Sequence, residues 1–111
     1  MSMTMILLLL AGTVLGAAGQ VLFKIGASGR EALLSFFNLW LLSGLIAYVL
    51  GTFVWIYALS KVRLTIVYPF TALTFVLVYV FGVLILHEPI AAKALLGIVL
   101  VLAGLFLVST T

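Results

Sequence analysis

Gln20 and Lys24 are the residues of this chain best suited to hold a ligand. They stand four apart at the end of a long apolar run, and Gly12 and Gly16 precede them at the same spacing. On a helix this spacing stacks all four along one stripe, small at one end and cationic at the other. Such a stripe suggests a substrate path or interhelical glue. A plain structural reading also exists, in which Gly12 and Gly16 form a small-xxx-small helix contact and Lys24 snorkels to the lipid headgroups. Gln20 fits that reading less easily, because an amide about one turn inside a membrane helix must find a partner.

Further polar groups punctuate the other apolar runs. Tyr48 lies near the middle of the second, on a face shared with Gly44, Thr52 and Trp55, and its hydroxyl needs a protein partner or a wet cavity. Trp40, near the end of that run, reads as an interfacial anchor. In the third run, Pro69 predicts a helix kink that frees a carbonyl one turn earlier, at about Thr65, with Tyr68, Thr71 and Phe75 along one face. Glu88, followed by Pro89, is suited either to cap the fourth helix or to pair with Lys24 across the membrane edge. Lys61 and Arg63 gather at the opposite edge. Gly97 and Gly104 mark a packing seam on the last helix. With one histidine, no aspartate and no cysteine, no set of nucleophile, base and orienting group can be assembled, so neither catalysis nor a metal or cofactor site is expected.

The elements that must position these residues follow from composition. The chain is 68% hydrophobic and 6% charged, against about 25% charged in soluble domains, so water is the wrong solvent for it. Four runs, at residues 4–23, 37–59, 64–86 and 90–108, each suffice to cross about 30 Å of hydrocarbon. The expectation is an all-α, integral membrane bundle of four transmembrane helices forming a single domain over residues 1–111. The first run reads as a span rather than a signal peptide, since no basic residue precedes it and three equally apolar runs follow. Short connections make neighbouring helices antiparallel. Lys24, Arg30 and Lys93 fall on one side, Lys61 and Arg63 on the other, so basic residues do not decide the orientation. The small positive excess belongs to loops and lipid headgroups, and no basic stripe offers a nucleic-acid surface.

Several short motifs resemble a known family. Gly-Gln-x-x-x-Lys closes the first run, Val-Tyr-Pro opens the third, His-Glu-Pro precedes the fourth and Gly-Ile-Val-Leu-Val-Leu-Ala-Gly lies within it. In this order they resemble the small multidrug resistance/EamA-like superfamily of drug and metabolite transporters, and most of all its small subunits of aminoarabinose-phosphoundecaprenol flippases. In the multidrug exporters the first helix carries a proton-exchanging glutamate, and alignment through Lys24 places Gly16 there. The resemblance therefore implies that the cation site is missing. It also implies that Tyr48 and Tyr68 line a substrate chamber and that the Gly97–Gly104 segment mediates dimerisation.

On this basis the chain is expected to act as a flippase subunit in the bacterial inner membrane, moving an undecaprenyl-phosphate-linked sugar within a homodimer or a heterodimer with a similar small subunit. Lys24 and Gln20 would hold the phosphate, and Tyr48 and Tyr68 would meet the sugar with the carbonyls freed by Pro69. Glu88 would fix Lys24 or meet the sugar's amine. Lys61 and Arg63 would receive the phosphate on the far side. The alternatives are an exporter of a small metabolite or cation and a membrane subunit that only stabilises a partner.

Overall fold

A computed structural model describes residues 2–29 and 33–110; Arg30 and Glu31 lie outside the described residues. Helix α1 spans Met3–Ala27, and a 3-10 turn, Leu33–Phe36, leads into α2, Leu39–Lys61. The third crossing is broken into α3, Leu64–Val67, and α4, Phe70–Leu86, and α5 covers Ala92–Ser109. The four crossings are long and apolar enough to span a bilayer, which makes this a multi-pass membrane protein. At 1.5 Å per residue the 25-residue α1 is about 37 Å long, more than the hydrocarbon thickness.

Helix boundaries follow local chemistry. The Ser2 hydroxyl accepts the Met5 N–H at 3.2 Å, and the Asn38 side chain accepts that of Leu41 at 3.1 Å. Helix α1 continues a turn past the expected end of its apolar run. Lys24 thus belongs to its last turn, where a cation meets the negative end of the helix dipole and its carbonyl accepts the Ser28 N–H.

Packing centres on α1, which contacts α2 on one side and α4 on the other, while α5 packs on α4 and buries no residue. The antiparallel α1–α2 seam is made of glycines spaced by seven rather than four. A Cβ on Gly19 would lie 3.0 Å from the Gly44 carbonyl oxygen, one on Gly44 would lie 2.9 Å from the Gly19 oxygen, and one on Gly51 would lie 3.2 Å from the Gly12 oxygen. Gly26 closes the row against Leu41, at 2.8 Å. Helices in lipid gain adhesion from such close backbone approach, because burial of apolar surface drives nothing there. Gly12 and Gly16 both approach α2 at Gly51, where an added Cβ would lie 3.2 Å from the Gly12 oxygen and 3.4 Å from the Gly16 nitrogen, although a Cβ on Gly16 itself would meet nothing nearer than the Thr74 methyl at 3.9 Å.

Leu9, Ala58, Val67 and Phe70 form the buried core, with Met5, Trp55, Leu59, Val62 and Leu73 packed around it. These residues come from the start of α1, the end of α2 and the α3–α4 break. The core therefore closes the bundle at the Lys61 and Arg63 end and leaves the Lys24 end less filled.

The seam predicts a sharp contrast between glycines. Gly44→Ala forces a methyl into backbone and should destabilise the fold by about 1–3 kcal/mol, whereas Gly16→Ala should be near neutral. Denaturant titration of both variants in mild detergent, followed by helical circular dichroism, checks this; equal stability would remove the seven-spaced seam.

Candidate functional site

Two cavities meet on α1. The first, of about 340 Å³, lies at the end of α1 and α4 and is lined by Gln20, Lys24, Tyr79, Gly82, Glu88 and Pro89 among apolar neighbours. The second, about 520 Å³, is a groove with α1 as floor and α2 and α3–α4 as walls; its lining includes Gly16, Gln20, Tyr48, Trp55, Tyr68 and Thr71. Gln20 lines both. The four-spaced stripe of α1 thus becomes the floor of the site, while its seven-spaced glycines hold α2.

Glu88 owes its place to the way α4 ends. The Gly82 carbonyl accepts the N–H groups of both His87 and Glu88, and His87 adopts a left-handed conformation at φ 56°. This turn folds the Glu88 carboxylate back over Gly82, where an added Cβ would lie 3.6 Å from Oε1. Residues 87–91 form a connection, and α5 starts only at Ala92 with no side-chain cap. The expectation that Glu88 caps the last helix and Pro89 begins it is corrected: the acid sits at the end of α4, facing the Lys24 cavity. Lys24 and Glu88 line one cavity without closing on each other in an ion pair.

The tyrosines come to the groove by different routes. Tyr48 packs against Phe23, ring centroids 6.0 Å apart, and leaves its edge on the groove. Tyr68 ends α3 and is 62% exposed. Pro69 has no N–H to offer the Thr65 carbonyl, yet Thr65 does not line the groove. The rearranged carbonyl is that of Tyr68, which accepts the Thr71 N–H at 2.9 Å and the Thr71 hydroxyl at 2.7 Å. The Thr65 carbonyl loses its donor at Pro69, as the sequence leads one to expect, but it lies away from the groove, and the turn itself is held at the Tyr68 carbonyl.

Lys61 and Arg63 stand at the other end of the bundle and line neither cavity. Lys61 Nζ lies 6.0 Å from the centre of the Tyr57 ring, and Arg63 precedes α3. Gly97 and Gly104 have open space where a Cβ would stand. Trp40 is exposed in the first turn of α2, as an interfacial ring would be.

Tyr79 is the site residue that the sequence reading passed over. It lines the Lys24 cavity, and its hydroxyl accepts the Ala91 N–H at 3.3 Å, tying the 87–91 connection to α4. Extending the face of Tyr68, Thr71 and Phe75 by one more turn reaches it, so the periodicity contained the signal.

Comparison with known proteins agrees with this architecture. The model of the EamA-like transporter family matches residues 1–110. Among curated proteins, the chain is 33% identical over 105 residues to "Probable 4-amino-4-deoxy-L-arabinose-phosphoundecaprenol flippase subunit ArnE" of Pseudomonas savastanoi pv. phaseolicola, covering 90% of this chain and 92% of the relative. It is 34% identical over 108 residues to the protein of the same description from Pseudomonas aeruginosa, with the same coverage of 90% and 92%. A protein described as subunit ArnF of that flippase, from Shewanella sediminis, is 40% identical over 68 residues, 60% of this chain and 47% of the relative. No solved structure matches.

The Tyr79 tie yields a local test. Tyr79→Phe removes one hydrogen-bond acceptor and should cost about 0.5–1.5 kcal/mol, read as faster hydrogen exchange at Ala91 with α1 unaffected. Unchanged exchange at Ala91 would show that the hydroxyl does not hold the connection.

Proposed function

The chain belongs to the EamA-like transporter family, and from that premise we propose that it is a subunit of a flippase that carries undecaprenyl-phosphate-linked aminoarabinose from the cytoplasmic to the periplasmic leaflet of a bacterial inner membrane. The observation that carries this reading is the pairing of Lys24 with Gln20 in a cavity at the membrane edge, continuous through Gln20 with a groove lined by tyrosine, tryptophan and threonine. A phosphate needs a cation and hydrogen-bond donors, and Lys24 with Gln20 supplies both. A sugar needs hydrogen-bonding groups and flat apolar faces, which Tyr48, Tyr68 and Trp55 offer. The groove is open along its length, so a polyprenyl tail can stay in lipid while the headgroup moves through protein.

The first helix carries Gly16 at the place where a cation exporter of this superfamily would need a buried acid. A positively charged cargo therefore lacks its anion on α1. Glu88 serves instead to orient Lys24 or to balance the charge of the headgroup. Lys61 and Arg63, at the far end of the bundle, receive the phosphate as it leaves. None of these steps requires a covalent bond to form or break, so the chain works as a transporter subunit rather than an enzyme.

One chain leaves this path open on one side. Tyr68, Thr71 and Gln20 are exposed along the groove, and polar groups cannot face hydrocarbon without cost. A second small subunit covers them. The relatives are themselves described as subunits, and the chain is similar to both ArnE and ArnF, which favours a pair of unlike but related chains. The face of α5 with Gly97 and Gly104 is the seam, because no neighbour within the chain occupies it.

Two outcomes test this reading. A phosphate held by Lys24 gains a charge-assisted hydrogen bond of about 1.5–3 kcal/mol, so its loss should weaken binding by roughly one to two powers of ten. Lys24→Ala and Lys24→Glu should abolish translocation of the lipid-linked sugar in proteoliposomes, while Lys24→Arg keeps part of it. Wild-type rates for Lys24→Ala, normalised to folded protein, would return Lys24 to the role of a lipid anchor. For the seam, Gly97→Leu with Gly104→Leu should lower the mass measured by light scattering in mild detergent to that of one subunit. An undiminished assembly would take α5 out of the interface.

A further inference from the structure

Resting on the flippase reading above, we propose that Thr52 and Thr71 form a pair of acceptors in the groove over α1 that favours an ammonium group on the sugar. The argument begins with where the hydroxyl protons go. In hydrocarbon a threonine finds no water, so it donates to a carbonyl of its own helix. Thr52 Oγ1 donates to the Tyr48 carbonyl at 2.9 Å and Thr71 Oγ1 to the Tyr68 carbonyl at 2.7 Å. Each hydroxyl has one proton, and both protons are committed. What Thr52 and Thr71 present to the groove is therefore lone pairs alone.

The aromatic part of the lining agrees. The rings of Tyr48, Trp55 and Tyr68 border the same groove, and aromatic faces attract cations. No ionised side chain lines it, since Lys24 and Glu88 belong to the other cavity. A phosphate, which carries only acceptors, gains nothing from these two threonines, and the cation that suits it is Lys24 in the other cavity. An ammonium carries three donors and no acceptor, so it suits the two threonine oxygens and the aromatic faces together. A hydroxyl in its place can donate one proton but brings no charge to the rings, and an N-acetyl group removes the charge and adds a carbonyl. The headgroup thus binds with fixed polarity: phosphate at Lys24, amine between Thr52 and Thr71. Gln20 stands at the junction, where an amide that both donates and accepts serves either part.

The rival reader of the amine is Glu88, which shares its cavity with Lys24. The experiment therefore compares four polyprenyl phosphates: bare, bearing an amino-pentose, bearing the same pentose with hydroxyl for amine, and bearing its N-acetyl form. Binding is measured to the full chain in nanodiscs, in the assembly in which it purifies. The amino-pentose lipid should bind about tenfold more tightly than its hydroxyl and N-acetyl counterparts, and Thr52→Val with Thr71→Val should reduce the difference to about twofold or less. Affinity for the bare phosphate should not change. Thr52→Ser with Thr71→Ser, which keeps the hydroxyls, should retain the preference, and each single Val variant should lose part of it, so the test stands even if the double Val variant fails to fold. A preference that survives both Val substitutions, or that vanishes in Glu88→Gln instead, overturns the proposal. Tight binding of the bare phosphate without any amine preference leaves the phosphate site standing and removes this subsite. Failure of all four lipids to bind sinks the flippase reading and this inference with it.

Discussion

Water is absent from the bilayer core, and every feature of this chain answers to that constraint. Backbone groups must be paired within the segment that carries them, which leaves helices as the means of crossing. The same rule governs side chains. Thr13, Ser43, Thr52, Ser60 and Thr71 each donate to a carbonyl three or four residues earlier. At the membrane edge, the Asn38 amide donates to the Gly26 and Ser35 carbonyls, both at 3.1 Å, and its oxygen accepts the Leu41 N–H. Among the described residues, no buried side-chain nitrogen or oxygen lacks a partner. Gln20, Lys24 and Glu88 instead line a cavity.

The second consequence is that adhesion between helices must come from contact, and contact is closest where side chains are smallest. Helix α1 meets this demand with one periodicity and carries its cavity-lining groups on another. Gly12, Gly19 and Gly26 recur every seven residues and hold α2 at backbone distance. Gly16, Gln20 and Lys24 recur every four and face the cavities. The two rows drift apart around the helix axis, so one helix is both the keystone of the packing and the floor of the site. Gly12 belongs to both rows: it lines the groove, and a Cβ added to it would lie 3.4 Å from Val54 of α2.

This double use explains what could and could not be read from residues alone. The four crossings were legible because length and apolar content decide them, and the break at Pro69 because proline has no N–H. Gly12 and Gly16 both approach Gly51, but residue types alone could not show that they also line the groove, because small residues four apart serve a packing face and a cavity floor equally well. Glu88 was expected to act on the helix that follows it. The Gly82 carbonyl instead draws in the N–H groups of His87 and Glu88, and that choice depends on tertiary placement and on a left-handed residue that is not glycine. Lys24, Gln20, Tyr48 and Tyr68 were each recognisable as polar groups out of place in lipid. That Gln20 would be shared by two cavities follows only once α2 and α4 flank the same helix.

The distribution of filled and empty space then bears on how a headgroup would cross. The charged cavity lies at the Lys24 end, whereas Leu9, Ala58, Val67 and Phe70 close the bundle at the Lys61 end. On the proposed function, a headgroup taken up beside Lys24 reaches the groove past Gln20, and the groove runs on beside this cluster to Tyr68 and Leu64, next to Arg63. Two members of the cluster, Val67 and Phe70, stand on either side of the Tyr68–Pro69 turn, so the break in the third crossing falls within the core. An unbroken helix there would tie α3 to α4 through continuous backbone hydrogen bonds, and moving Val67 would mean moving the whole crossing. With the missing N–H of Pro69, α3 is a four-residue segment joined to α4 through a tight turn, and displacing it disturbs few bonds. The proline thus does two things at once: it leaves the Thr65 carbonyl without its helical donor and it divides the core between Val67 and Phe70.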